Sequence, residues 1–495
     1  MSNIRVNYSG LIAFSASIIA LITGSMFVIF VTRRLTPEEF GLWTLIGSML
    51  VYVTIIQPVI NYWSVRQLSR GEDVGKTAFG SGWMLSGIGF VAYSLIVIGV
   101  SFQLGIDPFV LLLAGALVPL TFLNTVLNGI CLSFKPQNVS YGLLIFQFTK
   151  VPLGFLLVVF MDLGIIGAII TTIVASSVRL ILLIILSREK LLGFFKKQVL
   201  KNWLKLSWLS MFISLPGMLL FLDVLLVSLV TNSFIILAFW GIAHTISDKL
   251  LTTESLSQGL YTKLISNPQK EIATLNIQRT LYFAIPFLGL VIVFAKPLLH
   301  VLNPIYADGF LIVIILAIKT IIALLMNMFF NIISAYENID KDTNATFRQY
   351  VKSKLFFIPT LKFILTGAYL GSLSIFLFMY SSDYGEIETV TIWALIFTII
   401  HIPFLFYAYV LIKKQHKISF PIIPISKYLG ITIFSAIIVH FISLNYFTYS
   451  QSIWDFLPEF FPILILGCSI YFGMTFVVDK STKELFYSIF KEIKR

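Results

Sequence analysis

Four ionisable side chains interrupt one long apolar stretch of the chain, residues 233–262. They are His244, Asp248, Lys249 and Glu254. His244 and Asp248 are four residues apart, so their side chains share one face of a helix. Imidazole and carboxylate groups at bilayer depth are the groups that proton relays use. We therefore predict that this stretch is a transmembrane helix forming one wall of a polar cavity.

Five more ionisable residues lie inside apolar segments: Lys150, Arg179, Asp223, Lys319 and Lys362. A charge at the centre of a spanning helix costs about 2.5–3.5 kcal/mol on insertion scales, so such groups normally face a protein interior or a water-filled cavity. Two interpretations stay open: internal ion pairs that hold a bundle together, or a path for a substrate or an ion. Arg179 and Lys362 lie near the expected ends of their spans, where a long side chain can instead reach the interface.

The composition is that of an integral membrane protein. Of 495 residues, 58% are hydrophobic and only 12% are charged, whereas soluble proteins carry about 25% charged residues. About 14 segments reach the length of roughly 20 apolar residues that a span requires. Cys131 and Cys468 both fall in apolar runs, so we expect neither a disulfide framework nor a metal site, and no cofactor.

The basic residues lie mostly on one side of these spans. If the N-terminus is cytoplasmic, the inner segments hold most of the 35 lysines and arginines, as the positive-inside rule requires. Both termini are therefore expected in the cytoplasm of a cell whose cytoplasmic membrane holds the protein. The same rule explains the net charge of +12 without a nucleic-acid partner. The linker 188–204 predicts a basic amphipathic helix lying on the inner leaflet.

A local motif links the first two spans. Residues 31–43 read V-T-R-R-L-T-P-E-E-F-G-L-W, and residues 64–70 read S-V-R-Q-L-S-R. Together with the span layout, this pattern resembles the Wzx-like polysaccharide and oligosaccharide flippases of the multidrug/oligosaccharidyl-lipid/polysaccharide (MOP) superfamily. A weak internal repeat, in which Trp43 has a counterpart in Trp240, agrees with two similar halves.

The resemblance implies an all-α polytopic membrane protein. Its two six-helix bundles would form a V, as in MATE transporters, with two added C-terminal helices. The expected division is an N-terminal bundle with the basic linker (1–200), a second bundle (201–415), and the added helices with a basic tail (416–495). No segment outside the spans is long enough for a catalytic domain. The protein is therefore expected to be a transporter and not an enzyme.

The expected function is to flip a polyprenyl-(pyro)phosphate-linked oligosaccharide across the membrane by alternating access, for cell-surface glycan synthesis. Basic side chains outnumber acidic ones in the spans, and Arg and Lys bind phosphate well. The cationic cavity candidates are Arg33, Arg34, Lys150, Arg179, Lys319 and Lys362. The ion-coupling candidates are Asp223, His244, Asp248 and Glu254.

Other functions and partners remain as expectations. The alternatives are a cation-coupled multidrug exporter of the same superfamily, a membrane glycosyltransferase or polymerase, and a scaffold-like spanning protein without transport. The expected partners are the lipid-linked glycan, membrane lipids and the enzymes of polysaccharide synthesis. The protein is expected to be monomeric.

Overall fold

The computed structural model describes residues 6–205, 207–251, 269–337, 349, 351–480 and 482–484. Within these ranges every regular element is a helix, which confirms the predicted all-α class. This follows from the apolar sequence, because a backbone in lipid must satisfy its own hydrogen bonds and an α-helix does so within one segment.

The first eleven helices are α1 (Val6–Arg34), α2 (Pro37–Val53), α3 (Gln57–Ser69), α4 (Gly75–Leu104), α5 (Pro108–Gly115), α6 (Leu117–Phe134), α7 (Gln137–Gly154), α8 (Gly164–Leu191), α9 (Lys197–Lys205), α10 (Ser207–Leu219) and α11 (Leu222–Thr231). They are followed by α12 (Phe234–Ser247), α13 (Lys270–Val293), α14 (Ala295–Leu302), α15 (Phe310–Ala335), α16 (Lys354–Tyr380), α17 (Glu386–His416), α18 (Ile422–Tyr446) and α19 (Ile453–Val478). A π-helical turn, Phe155–Phe160, extends α7, and 3₁₀ turns occupy Asp248–Leu251, Pro304–Gly309 and Ser381–Asp383.

Among the described residues, 11 helical segments are long and apolar enough to cross a membrane, or 12 if the bent pair α2 and α3 counts as one span. The protein is therefore a multi-span membrane protein. Of the two other expected spans, one corresponds to α1. The other begins at α12 and runs into residues 252–268, which lie outside the described part. The total of about 14 spans stays a prediction with which this count is compatible.

The chain forms two compact units. Unit 1 contains Met1–Ala238 and Ser374–Ser381, and unit 2 contains Phe239–Leu373 and Ser382–Arg495. The functional division at residues 200 and 415 stays a prediction.

The motif at the start of α2 is a helix cap. The hydroxyl of Thr36 accepts from the Glu39 amide at 3.2 Å, and the Glu39 carboxylate accepts from the Thr36 amide at 3.0 Å. This capping box satisfies backbone donors at the helix start. The other Glu39 oxygen accepts from the Ile165 amide at 3.3 Å. Gly164 has a φ of +52°, and a Cβ there would lie 2.5 Å from that oxygen. The motif at residues 31–43 therefore connects the start of α2 with the start of α8.

The basic linker differs from the single helix that the sequence predicts. Residues 192–196 separate α8 from α9. In this break the Lys196 amide donates to the Thr77 hydroxyl at 2.9 Å, and the Lys196 ammonium donates to the Asp73 carbonyl at 2.6 Å. A Cβ at Gly193 would lie 2.5 Å from the Asp73 carboxylate. These contacts with the start of α4 and the preceding loop draw the backbone out of a helix.

In unit 2, tyrosines attach the last two helices to α13. The Tyr471 hydroxyl on α19 donates to the Tyr282 carbonyl at 2.7 Å, and the Tyr428 hydroxyl on α18 accepts from Gln278 at 3.0 Å. Tyr428 also donates to Asp479 at 3.1 Å. Each of these tyrosines is buried among helices, where a hydrogen bond offsets the cost of removing the hydroxyl from water. The packing of α18 and α19 is therefore specified by polar as well as apolar contacts.

Candidate substrate-binding site

Helix α6 carries a polar edge inside unit 1. Asn124 and Asn128 are four residues apart and share a face. The Asn124 amide donates to the Leu120 carbonyl of its own helix at 2.9 Å and to the Ser176 carbonyl of α8 at 3.0 Å. The oxygen of the same amide is buried and has no hydrogen-bond partner among the described residues. Asn124 thus links α6 to α8, and its side-chain oxygen can still accept a hydrogen bond.

Asn128 positions Arg179, which lies on α8. The Arg179 guanidinium donates through Nη2 to the Asn128 side-chain oxygen at 3.2 Å. Its Nε is buried and has no partner among the described residues. Within that part of the chain no carboxylate pairs with Arg179. The guanidinium is thus oriented by a neutral amide, and no described acid neutralises its positive charge.

Lys150 and Arg179 lie around the same aromatic ring. The Lys150 ammonium is 4.0 Å from the centroid of the Phe27 ring and 5.3 Å from that of Phe146. The Arg179 guanidinium carbon is 6.0 Å from the Phe146 centroid. Ring faces attract cations through their quadrupole. We call Phe27, Phe146, Lys150 and Arg179, with Asn128, the cationic cluster.

An unsatisfied amide lies on the same helix as Lys150. Gln147 of α7 is buried, and its side-chain oxygen has no partner among the described residues. Buried polar atoms without partners are rare in native proteins and call for a water, an ion or a ligand. The unsatisfied oxygens of Asn124 and Gln147 could accept hydrogen bonds from a ligand, whereas the buried Nε of Arg179 could donate one.

A second polar group occurs in unit 2, around Phe397 on α17. The Lys319 ammonium of α15 lies 3.8 Å from the centroid of this ring. Tyr369 stacks on the ring at 4.3 Å, and His401 lies edge-on at 4.9 Å. Trp393 donates to the Tyr369 hydroxyl at 2.7 Å, which fixes the stack.

The predicted pair His244 and Asp248 belongs to this second group. Nδ1 of His244 is 3.4 Å from a carboxylate oxygen of Asp248. Trp240, one turn before His244, stacks on Trp393 with their centroids 3.7 Å apart. Asp248 lies within electrostatic reach of Lys319 and Lys249. We call His244, Asp248, Lys319 and Phe397 the mixed-charge cluster. Two predicted coupling residues and one predicted cavity cation thus meet in unit 2.

The remaining predicted residues lie elsewhere. Arg34 forms an ion pair with Asp162 at 3.8 Å, with side chains 46% and 71% exposed, so the pair is of the solvent-exposed kind that contributes little. Arg33 is half-buried at the end of α1, and Lys362 is half-buried on α16. Glu254 lies outside the described residues.

Asp223 is buried in the first turn of α11, in unit 1. One of its oxygens accepts from the Val224 amide at 2.7 Å. The Tyr52 hydroxyl of α2 lies within electrostatic reach of Asp223 and donates to the Phe221 carbonyl. These contacts are compatible with a structural role, and the proposed role in ion coupling stays a prediction.

The site residues predicted from the sequence are all ionisable, so the neutral amides near the cationic cluster are not among them. Asn128 accepts from Arg179, Asn124 lies one turn earlier on the same helix, and Gln147 lies three residues before Lys150. The four-residue spacing of the two asparagines on α6 was a usable signal, because two amides on one face of an apolar helix predict a polar contact. Among the described residues, no group of three or more His, Cys, Asp or Glu side chains is arranged to hold a metal ion.

Comparisons with known proteins identify the fold. Neither the protein-family models nor the curated proteins that were searched match the sequence. Among solved structures, the lipid II flippase MurJ in an inward closed conformation matches with a TM-score of 0.65 and 14% identity over 94% of this chain and 98% of that chain.

Two MATE multidrug transporters also match. An inward-facing MATE transporter of the MOP superfamily has a TM-score of 0.58 and 12% identity over 83% of this chain and 99% of its own. The MATE multidrug transporter DinF-BH has a TM-score of 0.59 and 14% identity, covering 84% of this chain and 98% of its own. The chain therefore shares its fold with these transporter structures, in agreement with the all-α, MATE-like fold that the sequence predicts.

Proposed function

We propose that this protein is a flippase that moves a lipid-linked oligosaccharide, with a polyprenyl-(pyro)phosphate group, across the cytoplasmic membrane. The observation that carries the proposal is the cationic cluster. Lys150 and Arg179 come from different helices and lie around one ring. Arg179 is held by an amide, and no described acid pairs with it. Such an arrangement favours an anionic ligand, because a phosphate would supply the missing negative charge.

The individual residues have distinct roles in this proposal. The Arg179 guanidinium would bind two phosphate oxygens through its fork of donors, and the Lys150 ammonium would act as a point charge beside it. Asn128 would position the guanidinium through the hydrogen bond at 3.2 Å. Phe27 and Phe146 would keep the cations apart from lipid. The lipid tail would stay in the bilayer while the polar site opens to each side of the membrane in turn.

The mixed-charge cluster is the proposed coupling site. Protonation of His244 or Asp248 changes the net charge around Lys319, so a proton gradient would bias one conformation over another. This role for His244 and Asp248, and that for Asp223 and Glu254, rest on residue chemistry and placement. Arg33, Arg34, Lys319 and Lys362 remain proposed contributors to the path of the head group.

A cation-coupled multidrug exporter is the second candidate. It is favoured by the likeness to two MATE transporters and by the position of Asp248 next to His244, which packs against the rings of Trp240 and Phe397. Asp248 has half of its side-chain surface exposed, as a site for a cationic drug would require. The glycosyltransferase alternative gains nothing from the fold, because the neighbours named above are transporters.

Reconstituted protein can separate these functions. Proteoliposomes would carry a fluorescent polyprenyl-pyrophosphate oligosaccharide in one assay and a cationic dye in a parallel one. The proposal predicts protein-dependent flipping of the glycolipid and no dye transport. Dye transport without flipping would favour the exporter. Lys414→Gln is the matched control for any loss of positive charge, because Lys414 is an exposed lysine at the end of α17.

A further inference from the structure

A cavity of about 440 Å³ lies beside the break between α2 and α3 in unit 1. The two helices meet at an angle of 58°, and Pro58 lies in the first turn of α3. The cavity is lined by Gln57, Pro58, Asn61, Tyr62, Val65, Arg66 and Thr125. Its volume falls within the range of about 300–1,000 Å³ that is usual for small-molecule sites. We call it the α3 cavity.

The lining follows from helical spacing. Gln57, Asn61 and Val65 are four residues apart, and Pro58, Tyr62 and Arg66 form the adjacent row. Thr125 lies on α6, three residues before Asn128. Helix α6 thus contributes Thr125 to the α3 cavity and Asn128 to the cationic cluster.

Asn61 carries an unsatisfied polar atom. Its side-chain oxygen is buried and has no partner among the described residues. A Cβ at Gly129 of α6 would lie 2.2 Å from this oxygen, so the amide occupies room that only glycine leaves. A buried polar atom in this state is normally completed by a water or a ligand.

The other polar groups of the lining can also form further hydrogen bonds or ion pairs. Arg66 lies with its guanidinium carbon 4.6 Å from the centroid of the Tyr62 ring, and no described carboxylate pairs with it. Gln57 is anchored because its side-chain nitrogen donates to the Thr121 carbonyl at 3.1 Å. Its oxygen is therefore the part of the amide that can accept from a ligand. Thr125 adds a hydroxyl to the same wall.

We propose that the α3 cavity binds one sugar ring of the transported glycan, and that this ring carries a carboxylate. Two amides and a hydroxyl match the alternating donors and acceptors of sugar hydroxyls. The planar Arg66 fork matches a carboxylate, with which it forms paired hydrogen bonds. This inference rests on the proposed function for its biological ligand, but the binding site itself does not depend on transport.

Binding of simple sugars to the full-length protein in detergent would test this. The probes are methyl α-D-glucuronide and methyl α-D-glucoside, which differ only by a carboxylate in place of a hydroxymethyl group. Saturation-transfer NMR would give their affinities. We expect the wild-type protein to prefer the glucuronide by about tenfold, because the Arg66 contact is charge-assisted. Arg66→Gln should remove this preference, and Thr125→Val should weaken both sugars.

The matched control is Arg70→Gln, which removes an exposed arginine one turn further along, at the end of α3, and should leave both affinities unchanged. Equal affinity of the two sugars, no binding, or a preference that survives Arg66→Gln would overturn the proposal. Displacement of the glucuronide by an equal concentration of inorganic phosphate, together with no binding of the glucoside, would also overturn the proposal. The cavity would then be a simple anion site. Flipping without glucuronide binding would remove only this inference, and binding without flipping would remove only the proposed function.

Discussion

The cationic cluster of unit 1 and the mixed-charge cluster of unit 2 both contain a lysine beside an aromatic ring, but they differ in the sign of their second charged group. Each places a lysine over a phenylalanine, Lys150 over Phe27 at 4.0 Å and Lys319 over Phe397 at 3.8 Å. In unit 1 the second charged group is Arg179, whose partner is an amide. In unit 2 it is Asp248, whose partner is His244. We propose that the first cluster binds an anion and that the second takes part in ion coupling.

Loss of Arg179 should have the largest effect on transport. Arg179→Gln removes the oriented charge that no described acid neutralises, so we expect the flipping rate in proteoliposomes to fall about a hundredfold, since a lost charged contact costs about 1.5–3 kcal/mol. Arg179→Lys should recover part of the rate because it restores the charge without the fork. An unchanged rate in Arg179→Gln would show that the cationic cluster does not bind the substrate.

Loss of Lys150 should have a smaller effect, about tenfold. Its ammonium is a point charge, and Arg179 would remain to bind the same group. Lys150→Gln tests this in the flipping assay, and Lys150→Arg should retain most of the rate. An effect of Lys150→Gln larger than that of Arg179→Gln would reverse the assignment of the principal phosphate ligand.

The mixed-charge cluster should control energy coupling instead of affinity. We expect Asp248→Asn to abolish the stimulation of flipping by a pH gradient while the rate without a gradient changes less than about threefold. Asp455→Asn, which changes an exposed carboxylate on α19, is the control. If stimulation persists in both Asp248→Asn and Asp223→Asn, ion coupling through these residues is wrong.

Asn128 links the fold to the cationic cluster. Asn128→Ala removes the acceptor of the 3.2 Å hydrogen bond from Arg179 but leaves the charge, so we expect the KM for the glycolipid to rise about threefold with little change in maximal rate. Initial rates over a range of glycolipid densities would measure this. A change confined to the maximal rate would assign Asn128 a role in conformational change.

The smallest effect on transport is expected for Trp393, which fixes the position of Tyr369 beside Phe397. Trp393→Phe removes the hydrogen bond to the Tyr369 hydroxyl at 2.7 Å, so the free energy of unfolding should fall by about 1–3 kcal/mol. Thermal denaturation in detergent would detect this. If Trp393→Phe abolishes the pH-gradient effect without lowering stability, the indole acts in coupling and not in support.

The sequence predicts the helical fold because apolar runs of spanning length are direct signals in the chain. It also identifies Lys150, Arg179 and Lys319 as unusual, since a charge in such a run is conspicuous. It does not show that Lys150 and Arg179 lie around the same ring, because they belong to different helices and their positions depend on packing. The pairing of His244 with Asp248 can be predicted from the sequence because the two residues are about one helical turn apart.

Other features depend on contacts that no local pattern reveals. The linker is broken at residues 192–196 by hydrogen bonds to Asp73 and Thr77, more than a hundred residues earlier in the chain. The Asn61 amide is placed by the missing side chain of Gly129. Neither Lys196 nor Gly129 stands out in the sequence, because the structural role of each depends on residues far away in the chain.

Recognition of an anionic group by the cationic cluster underlies the whole proposed mechanism. Its decisive test compares flipping of a pyrophosphate-linked glycolipid with flipping of its neutral, phosphate-free analogue. The wild type and the double variant Lys150→Gln/Arg179→Gln would be measured side by side in proteoliposomes. We expect the wild type to prefer the pyrophosphate-linked lipid and the double variant to lose this preference. A preference that persists unchanged in the double variant would show that the anionic group is recognised elsewhere.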